Sequence, residues 1–403
     1  MNLEQMKRKY AYTLARVGLN VQPGQPVLVE AAIEGADFTP IFAEECYKLG
    51  ASNVIVHYLD EPNMKIAAKY RSDADMRKVE TWEELQCQQY LDEGACYVRL
   101  EGVNPKLMED VPEAQANAIF AHTDAVRNIM RKASREKHCQ WLIAMIPTQQ
   151  WAEYILKDVP KEKALDALWE LLLKLCYIDE TNDPVEAWEE KSRKNSERGR
   201  KIDEYKFTKL HYTASNGTDF TVPLTPFSKF CYDGPRPENF ISYHPNIPSE
   251  EICTSPEKYG AEGVIYASKP LVLGGKSIEN FGFRFENGKV VEVIANEGKE
   301  MLEALVSMDE NAGYLGEVAL VEYHSPISMS NVVYYTTLID ENASCHLALG
   351  RALGSPLPED SEWTFNDSQI HIDFMVGTPD MHIVGTTEDG REVVVFDNGD
   401  FAL

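Results

Sequence analysis

Near its C-terminal end the chain reads Asn366-Asp-Ser-Gln-Ile-His371-Ile-Asp373-Phe-Met-Val-Gly377, with His371 and Asp373 alternating with Ile370, Ile372 and Phe374. A period of two is that of a strand, so the imidazole and the carboxylate share one face and the apolar residues the other. Such a pair can fill two positions around a metal ion, or simply turn a polar face to water. Three other segments of the second half carry candidate ligands. Asn246-Ile-Pro-Ser-Glu250-Glu251-Ile-Cys-Thr-Ser-Pro256 holds two adjacent acids between prolines. Gly316-Glu317-Val-Ala-Leu-Val321 opens an apolar strand with a carboxylate. In Asp340-Glu-Asn-Ala-Ser-Cys-His346-Leu-Ala-Leu-Gly350 an acidic cluster precedes a histidine, which the pattern predicts in the first turns of a short apolar helix.

Each segment also has a plain structural explanation. Glu250 or Glu251 could cap or face water, Glu317 could guard a strand edge, Glu341 could be a solvated loop acid, and His346 a hydrogen-bonded core histidine. Taken together, two histidines and three carboxylates are what a pair of divalent ions held a few ångströms apart requires. His346, His371 and Asp373 alone would instead make a mononuclear iron centre with open positions, suited to oxygen chemistry.

The elements that must position these side chains follow from periodicity. In the first half, helical spacing over 2–17 is followed by the strands Pro26–Ala32 and Asn53–Tyr58 with a helix through Phe38–Leu49 between them. A helix near 81–93 and strands at Ala95–Leu100 and Trp141–Ile146 continue the alternation, which predicts a doubly wound α/β domain with a parallel sheet. Helices at Ala164–Tyr177 and Pro184–Tyr205 follow, the second carrying Glu189–Lys201, where acids and bases at helical spacing predict a solvated face of i,i+4 pairs. We place the domain boundary at 205/206. Residues 206–403 predict a mixed, largely antiparallel α+β domain. It has hairpins turning at Ser215–Thr218 and Glu286–Lys289, strands at Gly263–Tyr266, Glu317–Val321 and Val332–Thr337, and helices near 298–309 and 343–352.

The 403 residues suffice for two cores. A net charge of −26 argues against nucleic-acid and anionic-membrane partners. No apolar run approaches the roughly 20 residues that span a bilayer, and no signal peptide opens the chain, so a cytoplasmic location is expected. The eight scattered cysteines, with no C-x-x-C pair, read as reduced thiols; Cys253 and Cys345, beside the candidate segments, are minor ligand candidates.

The segments N-I-P-S-E-E-I-C-T-S-P, L-G-E-V-A-L-V, D-E-N-A-S-C-H-L-A-L-G and N-D-S-Q-I-H-I-D-F-M-V-G resemble, in order and spacing, those of the aminopeptidase T/aminopeptidase S family, peptidase family M29. R-V-G-L-N-V-Q-P-G-Q-P-V-L-V and D-P-V-E-A-W extend the resemblance into the first half. It implies a cytoplasmic, homodimeric metallo-aminopeptidase acting on peptides with a free N-terminus. It also implies two divalent ions (zinc, cobalt or manganese) per chain, with Glu251, Glu317, His346, His371 and Asp373 as ligands. Glu251 rather than Glu250 keeps the family's interval to Glu317, which leaves Glu250 as the candidate general base. One departure stands out. The family's catalytic tyrosine, in a pattern like H-x-A-x-G-x-A-Y, falls on Leu353. Leucine donates no hydrogen bond, so the resemblance implies a substitute donor (Tyr323, Tyr334, Tyr335 or Arg351), weak or altered activity, or an unusual substrate.

Overall fold

In a computed structural model, residues 2–104, 106–108, 110–137, 139–230, 240–273, 276–353 and 357–403 are described. The chain forms two compact units, one of Met1–Glu189 with Pro235–Pro248, the other of Glu190–Gly234 with Ser249–Leu403. The division falls inside the helix Pro184–Tyr205 rather than after it, and a short later segment returns to the first unit.

The first unit is built on a parallel sheet of β1 (Pro26–Ala32), β2 (Asn53–Leu59), β3 (Cys96–Glu101), β4 (Trp141–Met145) and the two-residue β5 (Asn246–Ile247), in the order β2-β1-β3-β4-β5. Alternate residues of β1 face opposite layers. Leu28 packs with Tyr97, Leu91 and Met130 beneath the helices Thr81–Asp92 and Glu113–Lys137. Elsewhere in the unit Tyr10, Phe38 and Trp169 cluster at ring distances of 5.4–6.2 Å, and the Tyr10 hydroxyl donates to the Met145 carbonyl at 3.0 Å. Parallel strands need such cover on both faces, and the expected α/β class is what the chain adopts. The helices Glu61–Tyr70 and Glu113–Lys137 were not foreseen.

The second unit holds two main antiparallel sheets and a two-stranded ribbon of Leu271–Leu273 with Lys276–Ile278. The larger runs Lys289–Ala295, Phe281–Glu286, Glu262–Tyr266, Asp219–Pro223, Phe207–Thr213, His382–Thr387, Glu392–Asp397 and Asp400–Phe401. The smaller, of β6 (Ile252–Thr254), β7 (Leu315–Leu320), β8 (His346–Gly350) and β9 (His371–Met375), runs β9-β8-β7-β6. A common core joins them, with Phe283 of the first against Phe374 of β9 at 5.2 Å, ring edge to face.

Two expectations fail here. The helix expected at 343–352 is the strand β8, and the strand expected at Val332–Thr337 is irregular chain leading into the short helix Thr337–Asp340. Leu347-Ala-Leu349 is a continuous apolar run, which periodicity cannot assign to helix or strand. Every residue of β8 is buried, and His346–Leu349 pair on both edges, so burial and pairing decided for the strand. Gly350 ends it at φ +100°, where a Cβ would lie 2.2 Å from the Ile370 carbonyl oxygen. Gly350→Ala should therefore destabilise the protein by at least about 1–3 kcal/mol, read as a lowered Tm by calorimetry.

Candidate metal centre

Register alone gathers the candidate residues of the small sheet on one face. Across three of its four strands Glu317 pairs with Ala348 and Ala348 with Asp373, so these three side chains emerge in a row. His346, two residues from Ala348, and His371, two from Asp373, share that face by the period of the strand. On the far edge Cys253 of β6 lies opposite Ala319, and Glu251 stands two residues before it. The methyl of Ala348 leaves space between the acids that flank it. A bulge at Gly316 sets the phase of β7, bringing Leu315 to the core and Glu317 to the site. No other residue fits there, since a Cβ would sit 2.4 Å from the carbonyl oxygens of Gly350 and Arg351. The opposite face carries Val318, Leu320, Leu347, Leu349 and Phe374 into the core. Glu317 is only 4% exposed and lies on a strand paired on both sides, so it guards no edge.

Two groups result. Glu251, Glu317 and His346 bring one ligand atom each within 4.8 Å of one another, and so do Glu317, His371 and Asp373. His346 Nε2 lies 3.1 Å from Glu251 Oε2, and His371 Nε2 lies 3.1 Å from Glu317 Oε2 and 3.3 Å from Asp373 Oδ1. His371 Nδ1 donates to the Arg351 carbonyl at 2.6 Å, which leaves the lone pair of a neutral ring on Nε2, aimed at two carboxylates. A lone pair facing anions is stable only with a proton or a cation between them. His346 Nδ1 is buried with no hydrogen-bond partner. Imidazole and carboxylate donors in this ratio suit zinc, cobalt or manganese, so the residues fit the divalent ions that the resemblance implies.

Electrostatics report the same crowding. Burial alone would lower the pKa of both histidines. The carboxylates outweigh it, Glu251 foremost raising His346 to about 9, and Asp373 and Glu317 raising His371 to about 10. Burial raises Glu251 despite His346 beside it. Asp373, although burial opposes it, is held below the usual range by His371.

Other expected residues fall outside the two groups. Glu250 turns to Lys191 at 2.5 Å. Cys253 is on the site face, but burial, then Glu317 and Glu251, push its thiol well above the ordinary value, and the thiolate that binds metals is disfavoured. Cys345 lies off the face and donates to the Val321 carbonyl at 3.3 Å. The seven described cysteines form no disulfide with one another; Cys231 lies outside the described residues. Leu353 is 59% exposed and follows a strand, not a helix. Tyr334 is fully buried with its hydroxyl donating to Ser330 Oγ at 2.9 Å, which removes it from the substitute donors.

Sequence reasoning missed Glu341. Only partly exposed, its carboxyl is driven well above the ordinary range by burial, then by Asp373, Glu251 and Glu317, which places it beside the cluster. The signal was the unbroken Asp340-Glu341-Asn342 run five residues before His346. Asp340 itself is structural, accepting from the N–H groups of Tyr334 at 2.8 Å and Thr336 at 3.1 Å.

Residues 3–401 match the profile of the thermophilic metalloprotease (M29) family. The chain belongs to that family. It is 34% identical over 410 residues to aminopeptidase AmpS of Bacillus subtilis, covering all of both chains, and 34% identical over 398 residues to aminopeptidase T of Thermus thermophilus, covering 97% of each. The solved structure of wild-type AmpT from Thermus thermophilus superimposes on all of the chain with a TM-score of 0.90 at 31% identity, covering all of that chain as well. A 2,5-dihydroxypyridine dioxygenase from Pseudomonas putida covers the whole chain at a TM-score of 0.55 and 13% identity, a likeness of fold alone. This M29 member is a peptidase, hence a hydrolase, of a metal-dependent kind, and the iron oxygenase alternative is not favoured. No helix among the described residues is long and apolar enough to cross a membrane.

The raised histidines fix how metal-free stability varies with pH. A pKa higher in the folded than in the unfolded state stabilises fully below the unfolded value, near 6.5 for histidine, and loses that effect as pH climbs through 9–10. Raised Glu251 and Glu341 act in the same direction, and Asp373 opposes them only in acid. In chelator, Tm should fall steadily from pH 6.5 to 10, and cobalt or zinc should restore most of the loss at the alkaline end, as read by thermal denaturation.

Proposed function

We propose that the protein is an aminopeptidase that removes the N-terminal residue from peptides by a two-metal mechanism, working as a cytoplasmic homodimer. The observation that carries the two-metal reading is that Glu317 belongs to both ligand groups, as a bridging carboxylate must. Glu251 and His346 would hold one ion, His371 and Asp373 the other, and Glu317 both. Bound there, two divalent ions supply a water acidic enough to ionise near neutral pH, a Lewis acid for the scissile carbonyl, and an anchor for the free α-amine. That anchor is what would confine cleavage to the first residue.

The chain's own residues then manage protons and position. Glu250 is our candidate general base, taking a proton from the water and passing it to the leaving amine. Glu341, crowded against the ligands, is the rival for that task or a further ligand. Leu353 leaves the oxyanion without the donor that the family's tyrosine would offer, and loss of such a donor typically costs about 10²–10³ in rate.

Unblocked aminoacyl substrates should be cleaved and their N-acetylated forms not, with two ions bound per chain; a single iron would instead revive the oxygenase. His371→Ala and Glu317→Ala should each abolish metal binding and hydrolysis without unfolding the protein, checked by metal analysis and circular dichroism. Glu250→Gln should lower kcat about 10²–10⁴-fold with both ions retained. If Glu341→Gln does so instead, Glu341 is the base. Leu353→Tyr should raise kcat at least about tenfold; an unchanged or lower rate would show a site arranged around leucine. Sedimentation velocity tests the dimer.

A further inference from the structure

The ring of His371 is oriented by a backbone carbonyl, and the placement of that carbonyl traces to one buried side chain. His371 Nδ1 donates to the Arg351 oxygen at 2.6 Å, just past the end of β8. The peptide groups on either side of Arg351 are each held at both ends. In the first, the Gly350 carbonyl accepts from Asn366 Nδ2 at 2.6 Å, and the Arg351 N–H donates to the Ile370 carbonyl at 2.7 Å. In the second, the Arg351 carbonyl accepts from His371, and the Ala352 N–H donates to the Asn366 carbonyl at 2.8 Å. Asn366 thus grips both peptide groups, one with its side chain and one with its backbone.

The same amide reaches the entrance of β7. Its Nδ2 donates to the Asn311 carbonyl at 3.0 Å and to the Tyr314 carbonyl at 3.2 Å. The Tyr314 carbonyl also accepts from the Gly350 N–H at 2.7 Å, which ties the start of β7 to the end of β8. Three carbonyl oxygens around one amide fix the way it faces, since its own oxygen could only repel them. That oxygen, Oδ1, is buried without a donor, and the residue is 2% exposed. An unmade acceptor in the interior is costly, so Asn366 is placed there for its donors. The oxygens of Gly350 and Arg351 also crowd Gly316, whose bulge turns Glu317 into the site.

We infer that Asn366 is a positioning residue of the metal centre, fixing the two peptide planes after β8 that orient His371. It acts on His371 through the Arg351 carbonyl and on Glu317 through the contact with Gly316. A histidine whose Nδ1–H loses its acceptor is free to turn Nε2 away from an ion. The inference rests on the ligand reading proposed above.

The test compares wild type with Asn366→Asp, Asn366→Ala and Asp309→Ala, by proton NMR of protein isotopically labelled at histidine nitrogen and by cobalt titration. Asn366→Asp keeps the shape of the side chain but turns oxygen on all three carbonyls. Asp309 is the control, because it ties down the same segment elsewhere, accepting from Ser368 Oγ at 2.7 Å and the Gln369 N–H at 2.8 Å. In metal-free wild type the Nδ1–H of His371 should give a downfield, slowly exchanging signal, as a short bond to a carbonyl requires. In both Asn366 variants that signal should move upfield, and cobalt should bind about 10–100-fold more weakly. Asp309→Ala should lower Tm yet leave the signal in place and cobalt affinity within about threefold. An unmoved signal in the Asn366 variants, or an equal shift in Asp309→Ala, would overturn the inference. Should Asn366→Asp fail to fold, Asn366→Ala decides by the same two readings. A wild type that shows the signal but binds no cobalt would refute the ligand reading alone, since the shift still decides whether Asn366 orients His371.

Discussion

Carboxylates gathered away from water repel one another, and the second unit is organised around holding them together. Glu251, Glu317, Glu341 and Asp373 sit close enough that burial, together with the neighbouring acids, raises the pKa values of Glu251 and Glu341, and both histidines are driven toward the protonated form. Burying even one such charge costs several kcal/mol when it is unpaired. The compensation lies on the other side of the same strands, where Val318, Leu320, Leu347, Leu349 and Phe374 enter a core shared with the larger sheet. A strand ladder backed by that core cannot splay to relieve the repulsion, as a loop would. The candidate ligands thus stand together without an ion, which is what pre-organisation of a metal site means in energetic terms.

Much of this was legible in the sequence because strands advertise themselves by alternation. The period of two at His371-Ile-Asp373 gave the shared face, and the 3.3 Å between His371 Nε2 and Asp373 Oδ1 agrees with it. The parallel sheet of the first unit and two hairpins of the second, those turning at Ser215–Thr218 and Glu286–Lys289, were readable for the same reason. What escaped was whatever depends on partners distant in the chain. β8 carries no alternation, since both its faces are buried, and only its pairing with β7 and β9 makes it a strand. Glu341 looks like a loop acid until the fold encloses it. Lys191 is one more charge in a charged helix until Glu250, 59 residues on, turns toward it.

Fold and chemistry separate cleanly here. A dioxygenase shares the architecture at a TM-score of 0.55 with 13% identity, so the arrangement of strands does not itself dictate peptide hydrolysis. In this chain the candidate chemistry rests on the side chains on one face of four short strands. Three of those side chains would already make a mononuclear centre. Glu251 and the second engagement of Glu317 create the other ligand group, and these come from the β6 edge and the bulge at Gly316. A bulge of one residue thus decides whether Glu317 faces the site or the core.

The position of Leu353 shows how chemistry can change without disturbing that scaffold. Beyond Gly350 the backbone is tied down by Arg351 N–H to the Ile370 carbonyl at 2.7 Å and Ala352 N–H to the Asn366 carbonyl at 2.8 Å. The Arg351 carbonyl in turn orients His371. The next side chain, Leu353, stands in the open at 59% exposure, outside the core formed by the described residues. Packing therefore places little demand on the residue at 353, and its identity is free to follow catalysis. Tyrosine and leucine at this position would differ in what they offer a substrate, with the sheet, its register and the ligands left as they are.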